Sequence, residues 1–91
     1  MNKLVAIADD HIMMRKGTIG FINSYPDFEV IIEADNGKEL LEAIEKSVSI
    51  PDIAIVDINM PVMNGYDTVI ELNKRWPEIR ILILTMINDE F

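Results

Sequence analysis

Four short apolar runs alternate with longer segments of helical spacing, and this alternation constrains the fold more than any other feature of the sequence. The runs cover residues 4–8, 28–32, 53–56 and 79–84. They show little polar alternation, which is typical of strands that are covered on both faces. Strands separated by helices need right-handed crossovers and form a parallel sheet. The sequence therefore predicts an α/β fold with a doubly wound parallel sheet.

The intervening segments supply three predicted helices, with apolar side chains repeating at helical positions over residues 14–22, 40–48 and 69–76. The second repeat includes Val48, which we expect on the buried face of its helix. Pro77 stops the third helix, because proline cannot donate the backbone hydrogen bond that a helix interior requires.

Polar residues follow three of the four predicted strands. Asp9 and Asp10 follow the first strand, Asp57 the third and Thr85 the fourth. Taken singly, the first two could cap a helix that starts near Ile12, Asp57 could be a solvated loop residue and Thr85 an ordinary strand residue. In a doubly wound sheet, however, the ligand binds outside the carboxyl ends of the strands. We therefore expect these side chains to form one site.

Three carboxylates in one pocket require either a cation or raised pKa values. Two unit charges about 4 Å apart repel by about 4 kcal/mol at an effective dielectric constant near 20. The chain has no cysteine and one histidine, which argues against zinc, whereas oxygen ligands on an open face suit Mg²⁺. Bound Mg²⁺ usually completes its shell with water and phosphate oxygens, and an aspartate beside it can act as a nucleophile. The pattern predicts phosphate chemistry but leaves the reaction open.

Size and charge restrict the class of protein. The chain has 91 residues and a formal net charge of −8, which indicates one small domain and disfavours direct binding of nucleic acid. No apolar run approaches the roughly 20 residues that span a bilayer, and the first run is shorter than a secretory signal core of about 7–15 residues. We expect a cytoplasmic protein with no membrane partner.

Three segments together resemble a known family. They are ADDHIMMRKG (residues 8–17), DINMPVMNG (57–65) and RWPEIRILILT (75–85). Over essentially its whole length the chain is similar to the receiver domain of two-component response regulators, in the LuxR-type branch whose receivers precede a helix-turn-helix output domain. The resemblance implies a flavodoxin-like fold, here incomplete: four strands in the order 2-1-3-4, without the last strand and its flanking helices.

The resemblance also implies a role for each site residue. Asp57 would accept a phosphoryl group from a sensor histidine kinase or from a small acyl phosphate. Asp10 would bind Mg²⁺ directly and Asp9 mainly through water, while Asp57 would give the ion a side-chain oxygen and Asn59 its backbone carbonyl. Thr85 would hydrogen-bond a phosphoryl oxygen.

The loop after Asp57 and the histidine after Asp10 are expected to take no direct part in the chemistry. Pro61 and Gly65 would shape the loop that presents Asp57 to solvent. His11 neighbours the acids in sequence, but as a surface side chain it is expected to be a bystander rather than a phosphodonor.

The family pattern continues beyond what this sequence contains. Family members carry a lysine on a fifth strand, and none of the lysines here occupies that position: Lys3, Lys16, Lys38, Lys46 and Lys74. We expect residues 1–91 to form one C-terminally truncated receiver-like domain with no effector domain, so that DNA would be reached only through the missing effector. Strand four would then be a sheet edge, and the apolar segment 81–87 would favour self-association through that strand.

Three functions from different classes compete. The leading one is a stoichiometric phosphoacceptor that assists its own phosphorylation and is not a turnover enzyme. The second is a protein-interaction or oligomerisation module that keeps the receiver fold without switching. The third is a hydrolase of the haloacid-dehalogenase type, which ranks lower because that type needs an aspartate at the position of Asn59.

Overall fold

The computed structural model describes residues 2–84, in which four strands alternate with three helices. In chain order they are β1 (Lys3–Ala8), α1 (Ile12–Asn23), β2 (Phe28–Ala34), α2 (Gly37–Lys46), β3 (Ile53–Asp57), α3 (Gly65–Arg75) and β4 (Arg80–Leu84). All neighbouring strands are parallel, in the order β2-β1-β3-β4. The predicted α/β class and strand order are confirmed. Within this part of the chain, no helix has the length and apolar character needed to cross a membrane.

The helices cover the sheet unequally. On one face, α2 and α3 pack against the small side chains of Ala6 and Ala8 through the buried residues Leu40, Ile44 and Leu72. On the other face, α1 is the only helix that residues 2–84 provide, and it packs against a smaller cluster formed by three buried residues, Val5, Ile7 and Ile55. Small and large residues therefore alternate along β1, and both faces of this central strand are buried, as the unbroken apolar run predicts.

Asparagine caps define the start of α2 and α3. The side chain of Asn36 accepts the backbone N–H of Glu39 at 3.0 Å, and Asn64 accepts that of Asp67 at the same distance. At its other end, α2 is shorter than predicted. Lys46 is its last residue, and Val48 is fully exposed, so the prediction that Val48 lies on the buried helix face is wrong.

The end of α2 has a local cause. Ser47 is extended, with a ψ of 141°, and its hydroxyl donates a hydrogen bond to the carbonyl of Ser49 at 2.7 Å. This side-chain bond gives the backbone an alternative to another helical turn.

Within residues 2–84, β4 is an edge strand, as predicted. Its apolar side chains are partly uncovered, with Leu82 55% and Ile83 45% exposed. Beside α1, Leu82 joins Phe21 and Tyr25 in lining an apolar groove of about 320 Å³. Thr85 and the rest of the segment that continues to residue 87 lie outside the described residues.

Candidate functional site

The carboxyl ends of β1 and β3 bring the predicted acids together. Ala8 of β1 is paired with Val56 of β3, so Asp9 and Asp57, the next residue in each chain segment, lie side by side. One ligand atom from each of Asp9, Asp10, His11 and Asp57 lies within 4.8 Å of all the others. The three carboxylates therefore share one pocket, as the order of the strands requires.

The pocket contains hydrogen-bond acceptors without matching donors. Asp9 and Asp57 are each 2% exposed, yet within the described residues neither side-chain oxygen of Asp57 has a hydrogen-bond partner, and Oδ1 of Asp10 has none either. Burial, and then the negative charge of Asp9, raise the pKa of the Asp57 carboxyl. Buried carboxylate oxygens without donors fit a hard divalent cation, so the donor set suits Mg²⁺.

His11 belongs to this cluster, which the sequence did not predict. Its ring Nδ1 lies 2.9 Å from Oδ1 of Asp9, 3.2 Å from Oδ1 of Asp10 and 3.5 Å from Oδ2 of Asp57. The hydrogen bond with Asp9, followed by the charge of Asp10, raises the pKa of the imidazole. The backbone N–H of His11 also donates to Oδ1 of Asp9 at 2.9 Å. The sequence feature that could have indicated this position is that His11 directly follows two aspartates.

Arg15 is a second residue that the sequence reasoning missed. It lies on α1 but is only 7% exposed, and its guanidinium donates to the backbone carbonyl of Asp9. The same group donates to the side chain of Glu33 at 2.9 Å and to the side chain of Asp35. These two hydrogen bonds outweigh the effect of burial and raise the pKa of Arg15. Arg15 therefore fixes the backbone that carries Asp9 against the end of β2.

The loop after Asp57 is closely packed against its own strand. The backbone N–H of Gly65 donates to the carbonyl of Ile58 at 2.8 Å. A Cβ atom at Gly65 would lie 2.5 Å from the carbonyl oxygen of Asp57, so only glycine fits there. Within the loop, Met63 N–H donates to the carbonyl of Pro61 at 2.7 Å across Val62, whose φ is 69°. This is a strained γ-turn centred on Val62, whose side chain is exposed.

Two predicted site residues have roles that the described geometry does not test. Asn59 is exposed at the start of the loop, and its backbone N–H acts on the Asp57 carboxyl, lowering the pKa of that group against the larger effect of burial. Thr85 lies outside the described residues. The metal-binding role of the Asn59 carbonyl and the hydrogen-bonding role of Thr85 stay predictions.

A doubly wound parallel sheet with a carboxylate cluster where β1 and β3 end defines an α/β protein with a candidate metal site at the carboxyl edge of the sheet. Comparison with known proteins narrows this class. The chain belongs to the response regulator receiver domain family, whose model matches residues 5–91. The family predicted from the three sequence segments is confirmed.

Individual relatives agree on the LuxR-type branch. The chain is 36% identical over 90 residues to transcriptional regulatory protein DegU of Brevibacillus brevis, covering 98% of this chain and 37% of that protein. It is 36% identical over 86 residues to nitrate/nitrite response regulator protein NarL of Escherichia coli K12, covering 94% of this chain and 39% of NarL. The structure of a LuxR-family two-component response regulator from Aurantimonas sp. SI85-9A1 superposes with a TM-score of 0.86 at 26% identity, covering 97% of this chain and 61% of that one. The chain thus spans less than half the length of these curated relatives.

Proposed function

We propose that this chain is a phosphoacceptor signalling domain in which Asp57 receives a phosphoryl group in a Mg²⁺-dependent reaction. One observation carries the proposal: the buried Asp57 carboxylate has two oxygens without a hydrogen-bond partner in the described residues. Ligand atoms of Asp9 and Asp10 lie within 4.8 Å of it. Oxygens that are free of protein donors keep their lone pairs for a metal ion and for attack on phosphorus. Membership of the receiver family supports this assignment.

The site residues would have different roles in phosphoryl transfer. One oxygen of Asp57 attacks the donor phosphorus and forms an O–P bond. The bond to the leaving group breaks, and the leaving group, a histidine nitrogen of the kinase or an acyl oxygen, keeps the electron pair. Bound Mg²⁺ would supply charge neutralisation for the phosphoryl oxygens. Asp10 would hold the ion directly and Asp9 mainly through water, while the Asn59 carbonyl and the Thr85 hydroxyl would have the roles predicted above.

The partners follow from this chemistry. A sensor histidine kinase is the proposed donor, and each chain accepts one phosphoryl group, so it acts as a stoichiometric switch in the cytoplasm rather than as a turnover enzyme. Residues 5–91 match the receiver family, and we assign no contact with DNA to them. The net charge of −8 agrees with this assignment, because a phosphate-backbone partner requires a basic face.

Acetyl phosphate provides a direct test without the kinase. In the presence of Mg²⁺, the wild-type chain should gain the mass of one phosphoryl group, and chelation of the ion should prevent the gain. Asp57→Asn should gain nothing. Asp27→Asn, which removes the same charge from an exposed site, should behave as wild type. No gain by the wild type, or equal gain by Asp57→Asn, would contradict the proposal.

The exposed edge strand favours a second candidate, a non-switching interaction module that self-associates. Leu82 and Ile83 leave β4 half uncovered, and an apolar strand edge is a template for pairing with another copy. We expect light scattering to show dimers of the 91-residue chain at high concentration and monomers of Ile83→Lys. A cooperative wild-type monomer at every concentration would argue against this candidate. Self-association without phosphorylation would favour it over the phosphoacceptor.

A further inference from the structure

The three carboxylates converge on one ring nitrogen of His11. Nδ1 makes its hydrogen bond with Asp9, while oxygens of Asp10 and Asp57 lie 3.2 and 3.5 Å away and have no hydrogen-bond partner in the described residues. A ring nitrogen carries at most one hydrogen, so it can satisfy only one of the three acceptors. A metal ion at this point could satisfy all of them at once, Asp10 and Asp57 directly and Asp9 mainly through water. Because Asp57 is buried and its oxygens are unpartnered, the cluster is more than a set of exposed acids.

We propose that His11 is a metal ligand through Nδ1 and makes this site prefer later first-row transition ions, such as Co²⁺ and Ni²⁺, over Mg²⁺. This inference rests on the divalent-ion site of the proposed function and adds a specificity-determining residue to it. Mg²⁺ is a hard ion that is best served by oxygen, whereas imidazole suits the later divalent ions, whose affinities increase along the series from Mn²⁺ to Cu²⁺. A site made of aspartates alone would discriminate less between these transition ions and Mg²⁺.

The spacing of the four ligand atoms agrees with one coordination shell. In an octahedral shell with bonds of about 2.1 Å, neighbouring ligands are about 3.0 Å apart and opposite ligands about 4.2 Å apart. The Nδ1 atom lies 2.9–3.5 Å from the three carboxylate oxygens, which is close to the spacing of neighbouring ligands. The four ligand atoms lie within 4.8 Å of one another, so the most widely separated pair would approach slightly on binding an ion. The His11 side chain is 46% exposed, so it closes the pocket on the solvent side of the two buried acids.

A pulsed electron paramagnetic resonance experiment with Mn²⁺ tests the ligand directly. His11 is the only histidine of the chain, so in a protein without an affinity tag an imidazole ¹⁴N coupling to bound Mn²⁺ can come from no other residue. We expect this coupling in the wild type and its loss in His11→Ala and in His11→Gln. The glutamine variant keeps a polar side chain at the helix start, which guards against a loss caused by misfolding.

Calorimetry with Co²⁺ and Mg²⁺ tests the selectivity. Loss of an outer partner of a metal ligand costs about 10- to 100-fold in affinity, so loss of the ligand itself should weaken Co²⁺ binding at least tenfold. Mg²⁺ binding should change by about twofold or less, since Mg²⁺ depends on the oxygens.

Each other outcome overturns the inference. Mn²⁺ bound without ¹⁴N coupling, or an unchanged ratio of Co²⁺ to Mg²⁺ affinity in His11→Ala, would leave an oxygen-only site and the proposed function intact. Tighter binding of both ions in His11→Ala would identify the imidazole as a competitor. No binding of any ion by the wild type would refute the proposed metal site as well.

Discussion

Replacing Asp57 by Asn should stabilise the metal-free protein, although it removes the proposed phosphoacceptor. Asp57 is 2% exposed, and burial and the neighbouring charge of Asp9 raise its pKa. The ionised carboxylate therefore carries a free-energy penalty in the folded state that it does not carry in the unfolded chain. Asparagine has nearly the same shape and no charge, so the variant avoids this penalty without leaving a cavity.

The size of the effect follows from the spacing of the cluster. At 4.8 Å, the largest separation of the ligand atoms, two unit charges repel by about 3.5 kcal/mol at an effective dielectric constant of 20. Solvent on the open side, where the Asp10 side chain is 34% exposed, and the nearby imidazole of His11 reduce this value. We expect Asp57→Asn to increase the free energy of unfolding at pH 7 by about 1–3 kcal/mol. Each kcal/mol corresponds to about 4–8 °C in melting temperature for a domain of this size.

The stability gain of Asp57→Asn over the wild type should increase with pH. A carboxyl group whose pKa is raised by folding imposes no penalty below its unfolded-state pKa of about 3.9. The penalty grows as the pH rises through the raised folded-state pKa of Asp57. The difference between Asp57→Asn and wild type should therefore be absent in acid, grow above about pH 4 and level off once Asp57 is ionised in the folded protein.

Thermal unfolding followed by circular dichroism, in a metal chelator and at a series of pH values, measures this difference. Asp27→Asn is the matched control, because it removes the same charge from an exposed position. Added Mg²⁺ should raise the melting temperature of the wild type more than that of Asp57→Asn, since the stabilisation by a bound ion grows with the logarithm of the ratio of ion concentration to Kd. If Asp57→Asn melts at or below the wild-type temperature at pH 7 without metal, the three charges do not repel as one cluster.

Three further substitutions test the supports of the site. Gly65→Ala would place a Cβ atom 2.5 Å from the Asp57 carbonyl oxygen, so it should lower the free energy of unfolding, measured by urea titration, by about 1–3 kcal/mol and weaken Mg²⁺ binding. Unchanged stability and Mg²⁺ affinity would contradict the close packing at this position. Arg15→Met should destabilise by about 2–3 kcal/mol, because the buried Asp9 carbonyl loses a charged donor, and an effect below about 0.5 kcal/mol would refute this role. Val62→Gly should stabilise by about 0.5–1 kcal/mol, since glycine adopts the φ of 69° in this γ-turn without the steric clash of a β-branched side chain. A loss of stability in the same titration would count against strain at this turn.

The position of the acids could be predicted from the sequence because topology alone determines it. Once strands 53–56 and 4–8 are recognised as parallel neighbours, the residues that follow them must meet at one edge of the sheet. The observed pairing of Ala8 with Val56 then places Asp9 beside Asp57 without any further information on side chains. The four parallel strands similarly follow from short, unbroken apolar runs separated by helices, whereas their order was predicted only from the resemblance to the receiver family.

Arg15 and Val48 could not be predicted in the same way, because their environments depend on distant or cap-specific contacts. The acidic partners of Arg15 lie 18 and 20 residues away on and after β2, so nothing near Arg15 in the sequence indicates burial. For Val48 the helical spacing was correct, but a serine hydrogen bond ends the helix first. The position of His11 depends on where α1 begins relative to both neighbouring strand ends.

The same backbone contacts explain why three repelling carboxylates stay together. The guanidinium of Arg15 binds the carbonyl of Asp9, whose N–H donates to Ala34 at 3.1 Å, so the main chain on this side of the pocket is fixed to β2. Asp57 is fixed on the other side by its strand and by the contact of Gly65 with the loop. Because both attachments act on the backbone, Asp9 and Asp57 cannot move apart with their strands, and a proton or a cation is the main means of relieving the repulsion between their buried side chains. A residue such as Arg15, which contacts no ion, should therefore contribute to ion affinity by holding the ligands at a distance that they would otherwise avoid.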